Sequence, residues 1–420
     1  MGMTLAEKIL ARAAGRERVT AGEFVVADVD LALLHDIFAA GVFGHLDAAG
    51  VERLFDPERT VVVIDHLVPA PTELAAATQR QIREYVARFE VAHFYDAGEG
   101  ICHQLLPERG HIRPGMLVVG TDSHTTTHGA LAAGATGIGS SEMAYVLATG
   151  RLWFRVPETI RFDLAGSLPA TVSWKDVILS IAGRFGADVA QYKAVELAGP
   201  AAGAVSMSSR LTVCNMAIEI GAKFGFFAAD ETTSAYLRER GIDDVAAFGP
   251  DPDASYDAVH EISLSDLEPQ VALPHAVDNV QPVDSVAGVP IDQAFLGSCT
   301  NGRLEDLEAA ASLLRGRHVH PRVRLLVAPA SRAVYQNALR SGAIEALVEA
   351  GASVLPSGCG PCFGGHGGLL APGERCIGTH NRNFAGRMGS PEAEIYLASP
   401  QTVVASALAG CIADSRELEP

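Results

Sequence analysis

A hydrophobic run that stops at polar or ionisable residues recurs three times in the first third of the chain, and this repetition restricts the fold more than any other feature. Thr60–Ile64 is β-branched and ends at Asp65 and His66. Val91–Tyr95 leads through Gly98–Gly100 to Ile101, Cys102 and His103, and Met116–Val119 runs into Gly-Thr-Asp-Ser-His-Thr (120–125). Short β-branched runs of this type are characteristic of interior parallel strands. Helical periodicity lies between them, as in Pro71–Phe89, where Leu74, Ile82, Val86 and Phe89 recur on one face. Strands alternating with helices predict α/β units with mostly parallel sheets. Ligands of open α/β sheets bind beyond the carboxyl ends of the strands. Asp65, His66, His103, Asp122, Ser123 and His124 are therefore expected in one cleft. A lone histidine is more often a satisfied structural residue; three histidine-bearing strand ends together favour a site.

The pattern divides the chain into three expected units, 1–157, 158–276 and 277–420. The first opens with a helix from Thr4 to Ala14, a buried strand near Glu23–Val29 and a helix through Leu31–Ala39. Its glycine-rich stretch Gly134–Gly139 opens a helix at Ser140. Glu142 stands where the dinucleotide fingerprint needs a third glycine, so the stretch reads as close packing around the site. The second unit has a strand over Pro157–Leu164, a helix Trp174–Phe185 capped by Ser173, and a helix Leu211–Phe224. That last helix would carry Asn215 and Glu219 at i, i+4 on one face, a spacing more often solvated than functional. Gly249–Asn279 reads as a linker. The third unit alternates strands at Ala294–Leu296, Arg322–Val327, Ala352–Leu355 and Arg375–Gly378 with helices at Leu304–Leu314, Ser331–Ala350 and Pro400–Ala409.

Three cysteines carry the chemistry of that third unit: Cys299 in Gly-Ser-Cys-Thr-Asn-Gly (297–302), and Cys359 and Cys362 in Gly-Cys-Gly-Pro-Cys-Phe-Gly-Gly (358–365). A structural zinc needs four protein ligands, and a complete cubane cluster ordinarily takes four cysteines. Three leave one metal corner open, which is how a Lewis acid is built. The alternative is a thiol-redox or structural-zinc pair at 359 and 362 beside an unrelated Cys299. Asn381, Arg382 and Arg387 add two guanidiniums, suited to bidentate capture of carboxylates. Cys102, Cys214, Cys376 and Cys411 read as buried structural thiols.

The balance of 32 basic against 50 acidic residues gives a net charge of −18. A field of that sign repels nucleic acid and anionic membranes, which argues against an RNA-binding role. No run of 18 apolar residues or apolar signal core appears. The seven scattered cysteines lack the density of a disulfide scaffold, so a cytoplasmic location is expected.

Taken together, Gly-Ser-Cys-Thr-Asn (297–301), Gly-Cys-Gly-Pro-Cys (358–362), Asn-Arg-Asn-Phe-x-Gly-Arg (381–387) and Gly-Thr-Asp-Ser-His-Thr (120–125) resemble the aconitase superfamily. Asp-His (65–66), Gly-Ile-x-His-Gln (100–104), Gly-Ile-Gly-x-Ser-Glu (137–142) and Cys-Asn-Met-x-x-Glu-Ile-Gly-Ala (214–222) agree in order and spacing, so the resemblance covers essentially the whole chain. It implies three α/β/α domains with mostly parallel sheets around a central cleft. A 4Fe–4S cluster would sit on Cys299, Cys359 and Cys362. His103 with Asp122 would protonate the leaving hydroxyl, and Asp65 with His66 would be a second acid–base pair. Ser123 and His124 would surround the substrate, with Asn215 and Glu219 near the cluster. Asn381 would bond the cluster region, and Arg382 and Arg387 the substrate carboxylates. The activity implied is a hydro-lyase or isomerase moving a hydroxyl between adjacent carbons of a hydroxy diacid through a cis-alkene. Isopropylmalate is the first expected substrate, with homocitrate, citramalate or dimethylmalate-type acids as alternatives. Single-chain members carry a fourth, swivelling domain with a serine base; the ending at Pro420 implies that a separate small subunit supplies it. Leu67–Thr72 after the Asp-His pair and His380 before the Asn-Arg-Asn-Phe loop depart from the usual pattern and bear on substrate.

Overall fold

The computed structural model describes residues 2–418. Its frame is three sheets and one ribbon. The first sheet has the strand order His93–Tyr95, Thr60–Val63, Leu31–His35, Leu117–Gly120, Gly134–Gly137, all parallel. The second is also parallel, in the order Phe224–Phe227, Ala194–Ala198, Thr159–Ala165, Ala258–Ser263. The third has seven strands. Glu394–Leu397, Arg375–Gly378, Gln293–Gly297, Arg324–Ala328 and Ser353–Val354 run parallel, while Gln270–Ala272 and Val280–Pro282 extend it in antiparallel pairing. No helix among the described residues is long and apolar enough to cross a membrane.

Chain order reverses at Leu31–His35 in the first sheet and at Gln293–Gly297 in the third, with strands added on both sides of each. Connections leave opposite faces at such a switch point and open a crevice beyond the carboxyl ends. His35, Thr121 and Asp122 follow one switch; Ser298, Cys299, Thr379 and Asn381 follow the other.

Several sequence expectations change. Leu31–His35 is a fully buried central strand, not a helix, because a short all-apolar run carries no period and burial between two parallel neighbours decides it. Phe24–Asp28 pairs only with Arg151–Arg155, so alternate residues face out and Phe24, Val26 and Trp153 are exposed. Gly134–Gly137 is itself an edge strand. The helix expected at Leu211–Phe224 runs instead over Met207–Asn215, followed by a tighter 3-10 turn over Met216–Ile220 and the strand Phe224–Phe227. The expected linker Gly249–Asn279 contains two strands. Ser331–Ala350 is broken into two helices at Gly342, whose φ is +75°.

The first and second sheets are held closely together. Gly129, in the Ser123–Leu131 turn beside the cleft, packs on the strand Phe224–Phe227; a Cβ there would lie 1.6 Å from the carbonyl oxygen of Gly225. Backbone atoms on both sides leave nothing flexible to yield. Gly129→Ala is expected to cost about 3 kcal/mol or more through overpacking, read by denaturant unfolding, whereas an unchanged midpoint would contradict this packing.

Candidate active site

The cleft beyond the first sheet has a volume of about 580 Å³ and is walled by the ends of the Leu31–His35 and Leu117–Gly120 strands, the Asp65–His66 turn, the turn carrying Phe363 and the loop carrying Arg382 and Arg387. Ionisable groups withdrawn from water must be paired, and here nearly all are.

Asp122 is the hub. One carboxylate oxygen takes the His103 ring Nε2 at 2.9 Å and the His124 backbone N–H at 2.7 Å; the other lies 3.6 Å from His66 Nε2. Burial alone would raise its pKa, but hydrogen bonds from His103 and His124, with His66 close by, hold it well below the usual carboxylate range. His66 Nδ1 lies 2.7 Å from Asp65 Oδ1, and Asp65 Oδ2 accepts the Cys102 N–H at 2.7 Å. Burial works against charging His66, but Cys359, Asp65 and Asp122 outweigh it and push its pKa well above the ordinary value. His124 Nε2 meets Glu219 Oε1 at 2.8 Å, and that oxygen also takes the Arg382 Nε–H at 2.8 Å. Ser123 Oγ lies only at the outer limit of a hydrogen bond, 3.5 Å from His124 Nδ1.

The thiols lie deeper. Asn215 donates from Nδ2 to Cys299 Sγ at 3.2 Å and to Thr127 Oγ1 at 2.8 Å, while its Oδ1 accepts from Thr300 and Asn381. Asn381 Nδ2 lies 3.7 Å from Cys299 Sγ, and Cys362 Sγ lies 3.8 Å from Asn381 Oδ1. Cys359 is fixed by its N–H on the Asp65 carbonyl at 2.9 Å. Arg387 donates from Nε to the Cys362 carbonyl at 2.8 Å. All three cysteines are free and buried. Burial, then Cys362, pushes the Cys299 thiol up to about 12, and burial raises Cys359 as well.

Every site residue expected from the sequence therefore converges here, with one division. Asp122, Ser123, His124, His66, Arg382 and Arg387 line the cleft, whereas His103 and Asn381 stand behind it, 2% and 1% exposed. Asn215 and Glu219 share the region without sharing a helix face, because the helix ends at Asn215.

Two buried residues escaped the sequence reading. Asp36 accepts the backbone N–H groups of Asp65, His66 and Leu67 at 3.3, 2.9 and 3.0 Å and so shapes the Asp65–His66 turn. His35 stacks on His66 with ring centroids 4.0 Å apart, and burial followed by repulsion from His66 brings its pKa down to about 4. His35 ends a strand and Asp36 follows it, the same signal that exposed Asp65 and Asp122. With Asp65 and His66 they bring four ligand-type atoms within 4.8 Å. The carboxylates are occupied by backbone amides and His66, an organised hydrogen-bond network rather than a metal cage.

A cleft at the switch points of parallel α/β sheets, lined by paired histidines and carboxylates, defines an acid–base enzyme of the α/β class. Residues 7–289 and 283–410 match the model of the aconitase family (aconitate hydratase). The chain belongs to the aconitase family and is an enzyme of the hydro-lyase class. It is 54% identical over 416 residues to the 3-isopropylmalate dehydratase large subunit 1 of Methanopyrus kandleri, covering 99% of each chain. A probable 3-isopropylmalate dehydratase large subunit of Methanothermobacter thermautotrophicus is 55% identical over 98% of each chain. A probable methanogen homoaconitase large subunit of the same organism is 49% identical over 98% of this chain and 97% of its own. Thermococcus kodakaraensis aconitase X, in a crystal structure of its holo-form, matches with a TM-score of 0.50 and 12% identity over 85% of this chain and 84% of that one; at that identity the likeness is one of fold.

A depressed carboxylate pKa stabilises the fold above the unfolded value, here 3.8, and the contribution fades as pH falls through the lower folded value. Asp122→Asn is therefore expected to be less stable than wild type near neutral pH, with the deficit shrinking between about pH 5 and pH 2. Denaturant unfolding across that range checks it; a pH-independent deficit would contradict the assignment.

Proposed function

We propose that this chain is the large subunit of a two-chain, cytoplasmic iron–sulfur hydro-lyase that interconverts 3-isopropylmalate and 2-isopropylmalate, as in leucine biosynthesis. The observation that carries the reading is one cleft in which the Asp122–histidine network faces two guanidiniums and adjoins three buried thiols. The names of relatives at 54% and 55% identity support the substrate, and their designation as large subunits supports a small-subunit partner.

The donor set fits a cluster. Burial raises the pKa of Cys299 and Cys359, so that these thiols need a cation to become thiolates, and Asn215 and Asn381 aim N–H donors at the Cys299 sulfur, the outer-sphere bonds that tune a metal–thiolate centre. Cys299, Cys359 and Cys362 would hold a 4Fe–4S cluster, which when bound supplies a Lewis acid for the substrate hydroxyl.

The chain's own residues supply the rest. Arg382 and Arg387 pair with the two substrate carboxylates, with Glu219 and the Cys362 carbonyl holding their Nε atoms. The His103–Asp122 pair gives a proton to the departing hydroxyl, so that water leaves, and takes it back on hydration. Asp122 is the member that reaches the cleft. His66, kept charged between Asp65 and Asp122, lines the cleft as a second donor, and Ser123 and His124 border the substrate. Removal of the proton from the adjacent carbon belongs to a serine of the swivelling small subunit. A net charge of −18 disfavours a nucleic-acid partner.

The test is an alkene-absorbance assay on 3-isopropylmalate after anaerobic reconstitution with iron and sulfide, with and without a co-expressed small subunit. Turnover only with the partner is expected. Turnover by the chain alone would contradict the split site, and failure of the loaded pair on every hydroxy diacid would overturn the reading. Cys359→Ser is expected to abolish iron retention and activity together; full activity in that variant would remove the cysteine from the site.

A further inference from the structure

The floor of the cleft is a row of four rings. Phe38 meets His35 edge-on with centroids 5.3 Å apart, His35 stacks on His66 at 4.0 Å, and His66 meets Phe363 edge-on at 5.1 Å. Two of these rings belong to the polar network. The outer end of the row is apolar: Phe38 is 45% and Ile37 36% exposed, and Ile138 lines the cleft with them.

The charges of the lining are unevenly placed. Its two guanidiniums, Arg382 and Arg387, both come from the loop that also carries the cluster-side Asn381. Ile37, Phe38 and Ile138 have no lysine or arginine beside them in the lining; Glu142 accepts the Gly139 N–H at 2.9 Å next to Ile138, and the charged His66 is separated from Phe38 by the His35 ring. His35, next to Phe38, is neutral at physiological pH, its pKa brought down to about 4 by burial and by His66. Two guanidiniums match two carboxylates. A third carboxylate turned toward Phe38 would meet an apolar wall, a neutral imidazole and a like charge, and an unpaired buried charge is strongly disfavoured. An aliphatic branch turned the same way would cover apolar surface and gain from it.

We propose that Phe38, with Ile37 and Ile138, forms the wall that receives the aliphatic branch of the substrate, so that this chain itself selects a branched-chain hydroxy diacid over a tricarboxylic acid. This rests on the hydro-lyase reading above and adds a specificity determinant to it. Phe38 is placed by the buried strand Leu31–His35, whose end also sets His35 and Asp36. The wall is therefore held in register with the acid–base groups.

The experiment uses the reconstituted enzyme with its small subunit and measures kcat/KM for malate, 3-methylmalate, 3-isopropylmalate and the tricarboxylic homoisocitrate. For wild type, kcat/KM should climb as the branch grows. A hydrophobic pocket discriminates single methylenes by roughly tenfold to a hundredfold, so Phe38→Ala should lose about that much on 3-isopropylmalate and far less on malate. Phe38→Arg should raise homoisocitrate relative to 3-isopropylmalate. Small-subunit affinity, measured by calorimetry on the same variants, should stay unchanged. An equal loss on every substrate, or weakened small-subunit binding that accounts for the loss, would overturn the wall and make Phe38 a docking residue. A wild type active on the series without dependence on branch size would also overturn it. A wild type inactive on all four acids would instead overturn the hydro-lyase assignment on which the wall rests.

Discussion

Asp122 is the constraint on which the rest of the site depends. Its carboxylate collects a ring nitrogen from His103 and the amide of His124 and lies close to Nε2 of His66, and these residues come from three separate connections of one parallel sheet. A buried carboxylate stays ionised only if it is met by enough donors. The requirement runs in both directions, because the histidines need the anion to fix their tautomers and orientation. Asp36 does the same for the backbone, taking three consecutive amides at the Asp65–His66 turn, so the network is anchored to main chain at its far end.

A second set of buried cations fastens the thiol side. Arg303 is 2% exposed and donates to the carbonyls of Cys299 and Thr300 and to Gln104 Oε1, joining the cysteine loop to the helix that carries His103. Lys175 is wholly buried and donates to the carbonyls of Thr379 and His380 at 2.9 and 2.5 Å, holding the turn that presents Asn381 and Arg382. Carbonyls at the ends of strands otherwise lack partners away from water. Loops that must sit close to the site are thereby made as firm as the sheets they leave.

Much of this was legible in the chain. Strand ends marked by Asp65-His66 and by Asp122-Ser123-His124 announced a cleft, and the Cys299 and Asn-Arg segments fall where the third sheet reverses its order. What stayed hidden has physical causes. Leu31–His35 is rich in leucine and alanine, good helix formers, and only its place between two strands makes it extended. That error concealed His35, Asp36 and the wall at Phe38. The Asn215–Glu219 spacing fitted a helix face, yet the helix tightens into a 3-10 turn after Asn215, and the two side chains reach the thiols and His124 by different routes. Of the strands inside Gly249–Asn279, Ala258–Ser263 lies at a sheet edge, where polar and acidic residues are tolerated, and Gln270–Ala272 is only three residues long, too short to show a period.

The central claim is that three thiols and the Asp122 network make up one metal-assisted site. Iron and labile-sulfide analysis of the anaerobically reconstituted chain tests it most directly. About four irons with equal sulfide per chain are expected of a cubane cluster, and none in a Cys299→Ser variant. Tightly held zinc, or no metal after reconstitution, would contradict the account.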